Sequence, residues 1–232
     1  KCNAAYAKGG PEAAINMLNK NLDLSITDYV TVDFNAVVEC VDLLGGITLD
    51  EVTDEEAVLM QGYMDEINKL TKNNSKYLSG GTNVTLDGVQ ACAYARIRYT
   101  KGDDYKRAER QRTVLAAMVA KAQKSDLVTI NKLIDAVFGD IQTSFSNADL
   151  VALAAQVFNY KLGETSGFPF NHGSTTLGSK GSVVVPCTLE SNVIELHQFL
   201  FGDEEYTPSD TVLANSKKII NDTGMNEGSG YR

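Results

Sequence analysis

The sequence predicts an α/β fold, a sandwich of helices against a mostly covered sheet. The chain has 232 residues, 43% of them apolar and only four of them proline, which suits a folded chain with a sizeable core. Short apolar strands alternate along it with segments in which apolar residues recur every three or four positions, and no internal repeat is visible. Alternation of strands and helices is typical of layered α/β proteins.

The first half of the chain supports this class element by element. A long helix is signalled most clearly, because Thr53 and Glu56 have the spacing of a capping box. The elements predicted here are a helix over 11–22, a strand over 29–34, a helix over 37–44, a strand from 47 to 49 and a long helix from 53 to about 72.

The second half is predicted to be mainly helical. Ser146 and Asp149 have the spacing of a second capping box. The predicted elements are helices over 110–124, 126–138 and from 146, a Gly- and Ser-rich connection over 163–181, a strand over 182–185 and a core helix over 189–201. We assign residues 1–202 to one domain and 203–232 to a polar extension, whose last residues, 224–232, are expected to fray.

Charge and motifs exclude several functions. The net charge of −9 disfavours a surface that binds nucleic acid. Residues 173–180 have glycine spacing like a phosphate loop but end in Ser-Lys where Lys-Ser is needed, and no GxSxG, HExxH or GxGxxG motif is present. Four scattered cysteines and two histidines do not suit a zinc or thioredoxin-type site, and the choice between disulfides and thiols stays open. No segment reads as a membrane span or an export signal.

One cationic segment stands out in this acidic chain. Residues 96–112 hold seven basic and three acidic residues. If a helix begins near Asp104, then Asp104, Arg107 and Gln111 fall on one stripe that continues into Val114, Leu115 and Met118. Buried arginines need an anionic partner, and a phosphate or pyrophosphate would suit the forked guanidinium. The alternative is an amphipathic helix with solvated arginines, and with Arg96 and Arg98 paired to acidic residues elsewhere.

Five ordered blocks of sequence resemble the LytR-CpsA-Psr domain, from residue 1 to about 115 and weakly to residue 200. They are residues 1–12, 29–34, 41–47, 86–98 and 104–111. The resemblance implies a three-layer α/β/α fold with a mixed sheet whose first strands are absent from this chain. It also implies an extracellular domain in a Gram-positive-type bacterium. The N-terminal membrane anchor of such a domain would lie outside these residues.

The same resemblance implies an activity and a set of site residues. The family transfers a phosphoglycopolymer, such as teichoic acid or capsule, from undecaprenyl pyrophosphate to peptidoglycan. The family's paired arginines correspond to Arg96 and Arg98, which would hold the pyrophosphate together with Lys1. Its catalytic Asp, Arg and Gln correspond to Asp104, Arg107 and Gln111. We expect Asp104 to orient Arg107, because a carboxylate among arginines is a weak base.

In the family, an earlier segment supplies metal-binding aspartates and a further arginine, so Mg²⁺ is implied without ligands in this numbering. We therefore expect these 232 residues alone to be inactive. The two rival functions are a non-catalytic module that binds polyprenyl pyrophosphate and a pyrophosphatase. Any function that acts on a prenyl lipid requires an apolar tunnel beside the cationic segment, because the prenyl chain must leave water.

Overall fold

The computed structural model describes residues 2–98 and 103–231, except for the side chains of residues 103, 104 and 137–140. The α/β class is confirmed, since helices and strands alternate along the described chain. The helices are α1 (Asn3–Leu22), α2 (Phe34–Leu43), α3 (Asp54–Thr71), α4 (Gly88–Arg96), α5 (Asp103–Ala122), α6 (Leu127–Asp140), α7 (Asn147–Ala155), α8 (Leu189–Phe201) and α9 (Asp210–Thr223). The strands are β1 (Val30–Val32), β2 (Ile47–Val52), β3 (Gly81–Leu86), β4 (Ile141–Thr143), β5 (His172–Thr176) and β6 (Ser182–Pro186). None of the helices in these described ranges has the length and apolar composition needed to cross a bilayer.

The chain divides into two compact units, which we describe separately. Residues 30–165 form one unit, with α2 to α7 and β1 to β4. Its core is built by α2, α3, β2, β3 and α4. The fully enclosed side chains of that core include Val41, Ile47, Met60, Met64, Ile67, Leu86 and Ile97.

Residues 1–29 and 166–232 form the second unit, with α1, α8, α9, β5 and β6. Its smaller core brings together buried residues of three helices, namely Leu22, Leu189, Val193, Leu196 and Val212. Val212 belongs to α9, so part of the polar segment after residue 202 contributes to a core. The boundary we placed at residue 202 stays a prediction.

The strands pair differently from the single mixed sheet expected from the sequence. In the described chain they form three two-stranded antiparallel ladders, β1 with β4, β2 with β3, and β5 with β6. Alternation of apolar residues tells which side chains face a core, but it does not tell which strand is the partner. Pairing of β1 with β4 joins segments more than a hundred residues apart, which no local pattern reveals.

Local capping signals set several helix starts. Thr53 and Glu56 form the predicted capping box of α3, and Ser146 and Asp149 form that of α7. Helix α1 begins before the predicted Pro11, and its backbone is interrupted at Gly9 and Gly10. Gly10 has a φ of 66°, which glycine adopts without steric cost.

The C-terminal residues are bound to other parts of the second unit. Tyr206 and Ser209 donate hydrogen bonds to the carboxylate of Asp23, just after α1, with Tyr206 Oη at 2.6 Å and Ser209 Oγ at 2.7 Å. Tyr231 forms an antiparallel bridge with His172 of β5 through two backbone hydrogen bonds. The stretch predicted as a connection over 163–181 therefore contains a strand, and the stretch expected to fray contains a paired residue.

Candidate functional site

Helix α5 carries most of the predicted site residues, but its buried face differs from the predicted one. The buried side chains in the described part of the helix are Arg110 and Val114, whereas Gln111 and Leu115 are exposed. At 100° per residue, the observed face is rotated by about 60° from the predicted stripe. The prediction that Gln111 and Leu115 extend the buried face is therefore wrong. Core packing of Val114 sets the rotation of the helix, and Arg110, one turn earlier, follows it inward.

Arg110 is the buried arginine that the sequence reasoning missed. It is only 6% exposed, and its Nε donates to Glu56 Oε1 at 2.9 Å. Its Nη1 donates to the carbonyl oxygen of Ile97 at 3.4 Å, and its guanidinium lies 5.9 Å from the ring centroid of Tyr94. Burial, reinforced by the nearby Glu56 carboxylate, raises the pKa of Tyr94. The spacing of Arg110 four residues before Val114 was a usable signal, but its partner is 54 residues away.

Arg96, at the end of α4, is held on two sides. Its guanidinium carbon lies 4.8 Å from the ring centroid of Phe34 and 5.1 Å from that of Tyr63, both within cation–π range. Its Nη2 pairs with Glu66 Oε2 at 3.0 Å, while its Nη1 is buried and has no hydrogen-bond partner in the described chain. One nitrogen of Arg96 thus remains able to bind an anion.

The carboxylates that meet these two arginines lie on the same helix. Glu56 is in the first turn of α3, and Glu66 is ten residues further on, about 15 Å along the helix axis. The structure thus pairs Arg96 and Arg110 with separate carboxylates. The alternative in which Arg96 pairs with an acidic residue elsewhere therefore accounts for its Nη2 only, and the pairing of Arg110 was part of neither interpretation.

The remaining predicted residues are placed as follows. Arg98 is exposed, and Arg107 is half-buried on α5. Asp104 lies in α5, but its side chain is outside the described part, as is the whole of Lys1. The predicted roles of all these residues stay predictions.

An apolar cavity lies at the other end of α5. It is a partly open cavity of about 230 Å³ between α5, α6 and α7, and the described side chains that line it are all apolar. They are Ala122, Ile130, Leu133, Ile134, Leu150, Ala154 and Val157. Fifteen residues separate Arg107 from Ala122, which corresponds to about 22 Å along the helix.

A resident metal ion does not fit the residues that the structure describes. Among the described side chains, which exclude those of residues 99–104 and 137–140, no group of three or more His, Cys, Asp or Glu is placed to hold one. We therefore assign no Mg²⁺ ligand and derive no chemical step through a metal.

The cysteines in the structure are all thiols. Cys2 is exposed, Cys40 is half-buried, and Cys92 and Cys187 are buried. Burial raises the pKa of Cys92 to about 12, because it disfavours the thiolate. A buried thiol of this kind behaves as a small apolar side chain rather than as a nucleophile.

Comparison with known proteins decides the family. The LytR_cpsA_psr family matches residues 1–173 of the chain. The chain belongs to this family. The resemblance read from the sequence is therefore confirmed.

Two curated relatives carry functional names. The Bacillus subtilis (strain 168) polyisoprenyl-teichoic acid–peptidoglycan teichoic acid transferase TagV is 30% identical over 155 residues, 66% of this chain and 37% of that protein. The Enterococcus faecalis (strain ATCC 700802 / V583) transferase TagU of the same description is 31% identical over 156 residues, 66% of this chain and 46% of that protein. The matches thus span less than half the length of these relatives.

The crystal structure of B. subtilis TagV has a similar fold. It superposes with a TM-score of 0.59 at 24% identity, covering 90% of this chain and 76% of that chain. At this identity the likeness supports the LytR_cpsA_psr fold alone.

Proposed function

We propose that this protein transfers a phosphoglycopolymer of the teichoic acid type from undecaprenyl pyrophosphate to peptidoglycan. Family membership and the names of the two curated relatives support this proposal. The proposed partners are the lipid-linked glycan, peptidoglycan and, through an anchor outside these residues, the membrane. The proposed location is the extracellular face of the cytoplasmic membrane of a Gram-positive-type bacterium, and capsule remains a second candidate polymer.

One observation carries the proposal, namely the arrangement of helix α5. Its first half carries Arg107 and packs against α4, which ends at Arg96, and its second half reaches an apolar cavity through Ala122. A polyprenyl pyrophosphate has the same division into an anionic head and an apolar chain. An arginine-rich end stabilises phosphate charge, while an apolar cavity removes a prenyl chain from water.

The proposed reaction is a displacement at phosphorus. A sugar hydroxyl of peptidoglycan forms a bond to the phosphorus next to the glycopolymer, and the bond from that phosphorus to the bridging oxygen breaks. Polyprenyl phosphate leaves, and the hydroxyl proton is released. Charge grows on the phosphate oxygens during this step, and arginines held in place beforehand stabilise it.

We assign roles within this reaction to individual side chains. Arg96 offers Nη1 to the pyrophosphate, because that nitrogen is buried and has no partner among the described residues, while the rings and Glu66 fix the guanidinium plane. Arg98 and Lys1 add to pyrophosphate binding, and Arg107 stabilises the transferred phosphate. Asp104 orients Arg107, and Gln111 hydrogen-bonds the substrate from its exposed position.

Mg²⁺ belongs to the proposal by resemblance only. If the family's metal ligands lie outside these residues, the 232-residue chain by itself does not turn over, as we expect from the sequence. Its binding of the lipid pyrophosphate does not depend on that turnover.

A fluorescent undecaprenyl-pyrophosphate-linked glycan, mixed with peptidoglycan and the membrane-anchored full-length protein, tests the function. Fluorescence fixed on peptidoglycan supports transfer. Release of a free phosphosugar would replace the proposal with a pyrophosphatase. Retention of the intact lipid on the protein without turnover would replace it with a binding module.

The arginine assignment has its own test on undecaprenyl pyrophosphate binding. We expect Arg107→Ala to weaken binding by about 1.5 to 3 kcal/mol, because a hydrogen bond to a charged group has this value. Arg112 lies about 140° around α5 from Arg107, so Arg112→Ala should leave the Kd nearly unchanged. Equal losses in a calorimetric titration would show that α5 does not present Arg107 to the lipid.

A further inference from the structure

The buried ion pair of Arg110 and Glu56 lies between the two parts of the arginine site. Arg110 is one turn from Arg107 on α5, and its Nη1 donates to the carbonyl of Ile97. Ile97 is the residue between Arg96 and Arg98. One guanidinium therefore joins α5 to the backbone that carries the paired arginines.

The backbone at Ile97 needs such a contact. Helix α4 ends at Arg96, and Ile97 has a φ of −55° and a ψ of 126°, which is outside the helical region. The chain leaves the helix here, and the last carbonyls of a helix lack partners within it. Arg110 provides a partner for the carbonyl of Ile97, whose side chain is fully buried.

Glu56 fixes the other side of the guanidinium. Its Oε1 accepts from Arg110, while its Oε2 accepts from the backbone nitrogen of Thr53 at 3.1 Å in the capping box of α3. Both carboxylate oxygens are therefore engaged, and the side chain of Glu56 is only 14% exposed. Glu56 therefore holds Arg110 Nε from a fixed position, because its second oxygen is bound to the start of α3 and its charge strengthens the hydrogen bond.

We propose that Arg110 and Glu56 are positioning residues of the pyrophosphate site, which set the direction of Arg96 and Arg98 relative to Arg107. Neither needs to touch the substrate. Arg110 acts by holding the Ile97 carbonyl, and Glu56 acts by holding Arg110. The inference rests on the proposed function for the identity of the ligand, while the contacts themselves are independent of it.

Two substitutions separate the positioning role from helix capping. Glu56→Gln removes the charge that binds Arg110, yet glutamine also serves at this position of a capping box, so the start of α3 is preserved. Arg110→Lys keeps the positive charge, but a single ammonium does not reproduce the fork that reaches both Glu56 and Ile97. The matched control is Glu109→Gln, which neutralises a carboxylate on α5 in an exposed pair with Lys106.

Amide hydrogen exchange of residues 94–98, followed by mass spectrometry, measures positioning directly. We expect exchange in this segment to accelerate about tenfold or more in Glu56→Gln and Arg110→Lys, while the core of α3 around Ile67 changes less. If the ion pair only stabilised the fold, both variants would exchange faster to the same extent in both segments through global unfolding. Uniform acceleration, or none at residues 94–98, would overturn the inference.

Titration with inorganic pyrophosphate gives the second readout. We expect the Kd of both variants to rise about tenfold, and that of Glu109→Gln to stay within about twofold of the parent. If the parent protein binds no pyrophosphate, the proposed function fails while the exchange result still decides the positioning role. If the parent binds and both folded variants bind equally well, the positioning role is refuted. Should Glu56→Gln not fold, Arg110→Lys decides both readouts.

Discussion

Filling the apolar cavity between α5, α6 and α7 should block the lipid and spare the pyrophosphate. Ala154 lines this cavity from α7, so Ala154→Phe directs a ring into it. Ala152 lies on the same helix but is exposed, so Ala152→Phe adds the same ring outside the cavity. The two variants differ only in where the six added carbon atoms lie.

The size of the effect follows from the cavity volume. At about 24 cal/mol per Å³, an empty space of about 230 Å³ corresponds to a ceiling of about 5.5 kcal/mol for whatever fills it. The added ring occupies roughly the room of one isoprene unit, whose five carbons contribute about 4 kcal/mol when fully buried. Because the cavity is partly open, we expect about half of this, or about a 30-fold rise in the Kd of undecaprenyl pyrophosphate.

The assay compares two ligands on three proteins. Undecaprenyl pyrophosphate in nonionic detergent and inorganic pyrophosphate in buffer are each titrated into the parent, Ala154→Phe and Ala152→Phe. Only the lipid should lose affinity, and only in Ala154→Phe. An unchanged lipid Kd in Ala154→Phe would show that the prenyl chain lies elsewhere, and an equal loss in Ala152→Phe would show that the effect is not confined to the cavity.

Two further predictions concern the buried thiol of Cys92 and the hydrogen-bonded carboxylate of Asp23. Because burial raises the pKa of Cys92 to about 12, its thiolate is only about one part in ten thousand at pH 8, and iodoacetamide should modify it about 100-fold or more slowly than the exposed Cys2. Mass spectrometry of timed samples checks this, and comparable rates would contradict it. Burial alone would raise the pKa of Asp23, but hydrogen bonds from Tyr206 and Ser209 outweigh it and lower the pKa below its ordinary value of 3.8. The hydrogen-bonded Asp23 carboxylate therefore stabilises the folded state above pH 3.8, and this stabilisation is lost as the pH falls. We expect Tyr206→Phe to lower the free energy of unfolding by about 1 to 2 kcal/mol at pH 7 and by less at pH 3. Denaturant titrations that give the same loss at both pH values would contradict the assignment to Asp23.

Sequence reasoning succeeded where the deciding contacts are local. Thr53 caps a helix through Glu56, three residues away, and Ser146 does so through Asp149. Such short spacings can be read directly from the chain, because the donor and the acceptor belong to one turn. The α/β class and the position of α5 followed from the same kind of information.

Non-local contacts account for what the sequence reasoning missed. The rotation of α5 depends on the packing of Val114 in the core, and the partners of Arg110, Glu56 and Ile97, lie 54 and 13 residues before it. The stripe drawn through Arg107 and Gln111 differs from the observed face by about 60°, because a stripe through Arg110 also places a polar residue before the apolar run. The sheet pairings and the cavity also depend on which elements meet, and no spacing within one element contains that information.

The bridge between Tyr231 and His172 has a consequence for association between chains. At His172 strand β5 is paired on both sides, with Pro186 of β6 and with Tyr231. An open strand edge is a template on which a second molecule can add, so the residues near the C-terminus shield this end of the hairpin from intermolecular β-pairing. Gly230 makes the shield possible, because any Cβ there would collide with the side-chain amide of Asn171. A side chain at Gly230 would therefore separate Tyr231 from His172 and leave this end of β5 open to pairing with a second molecule.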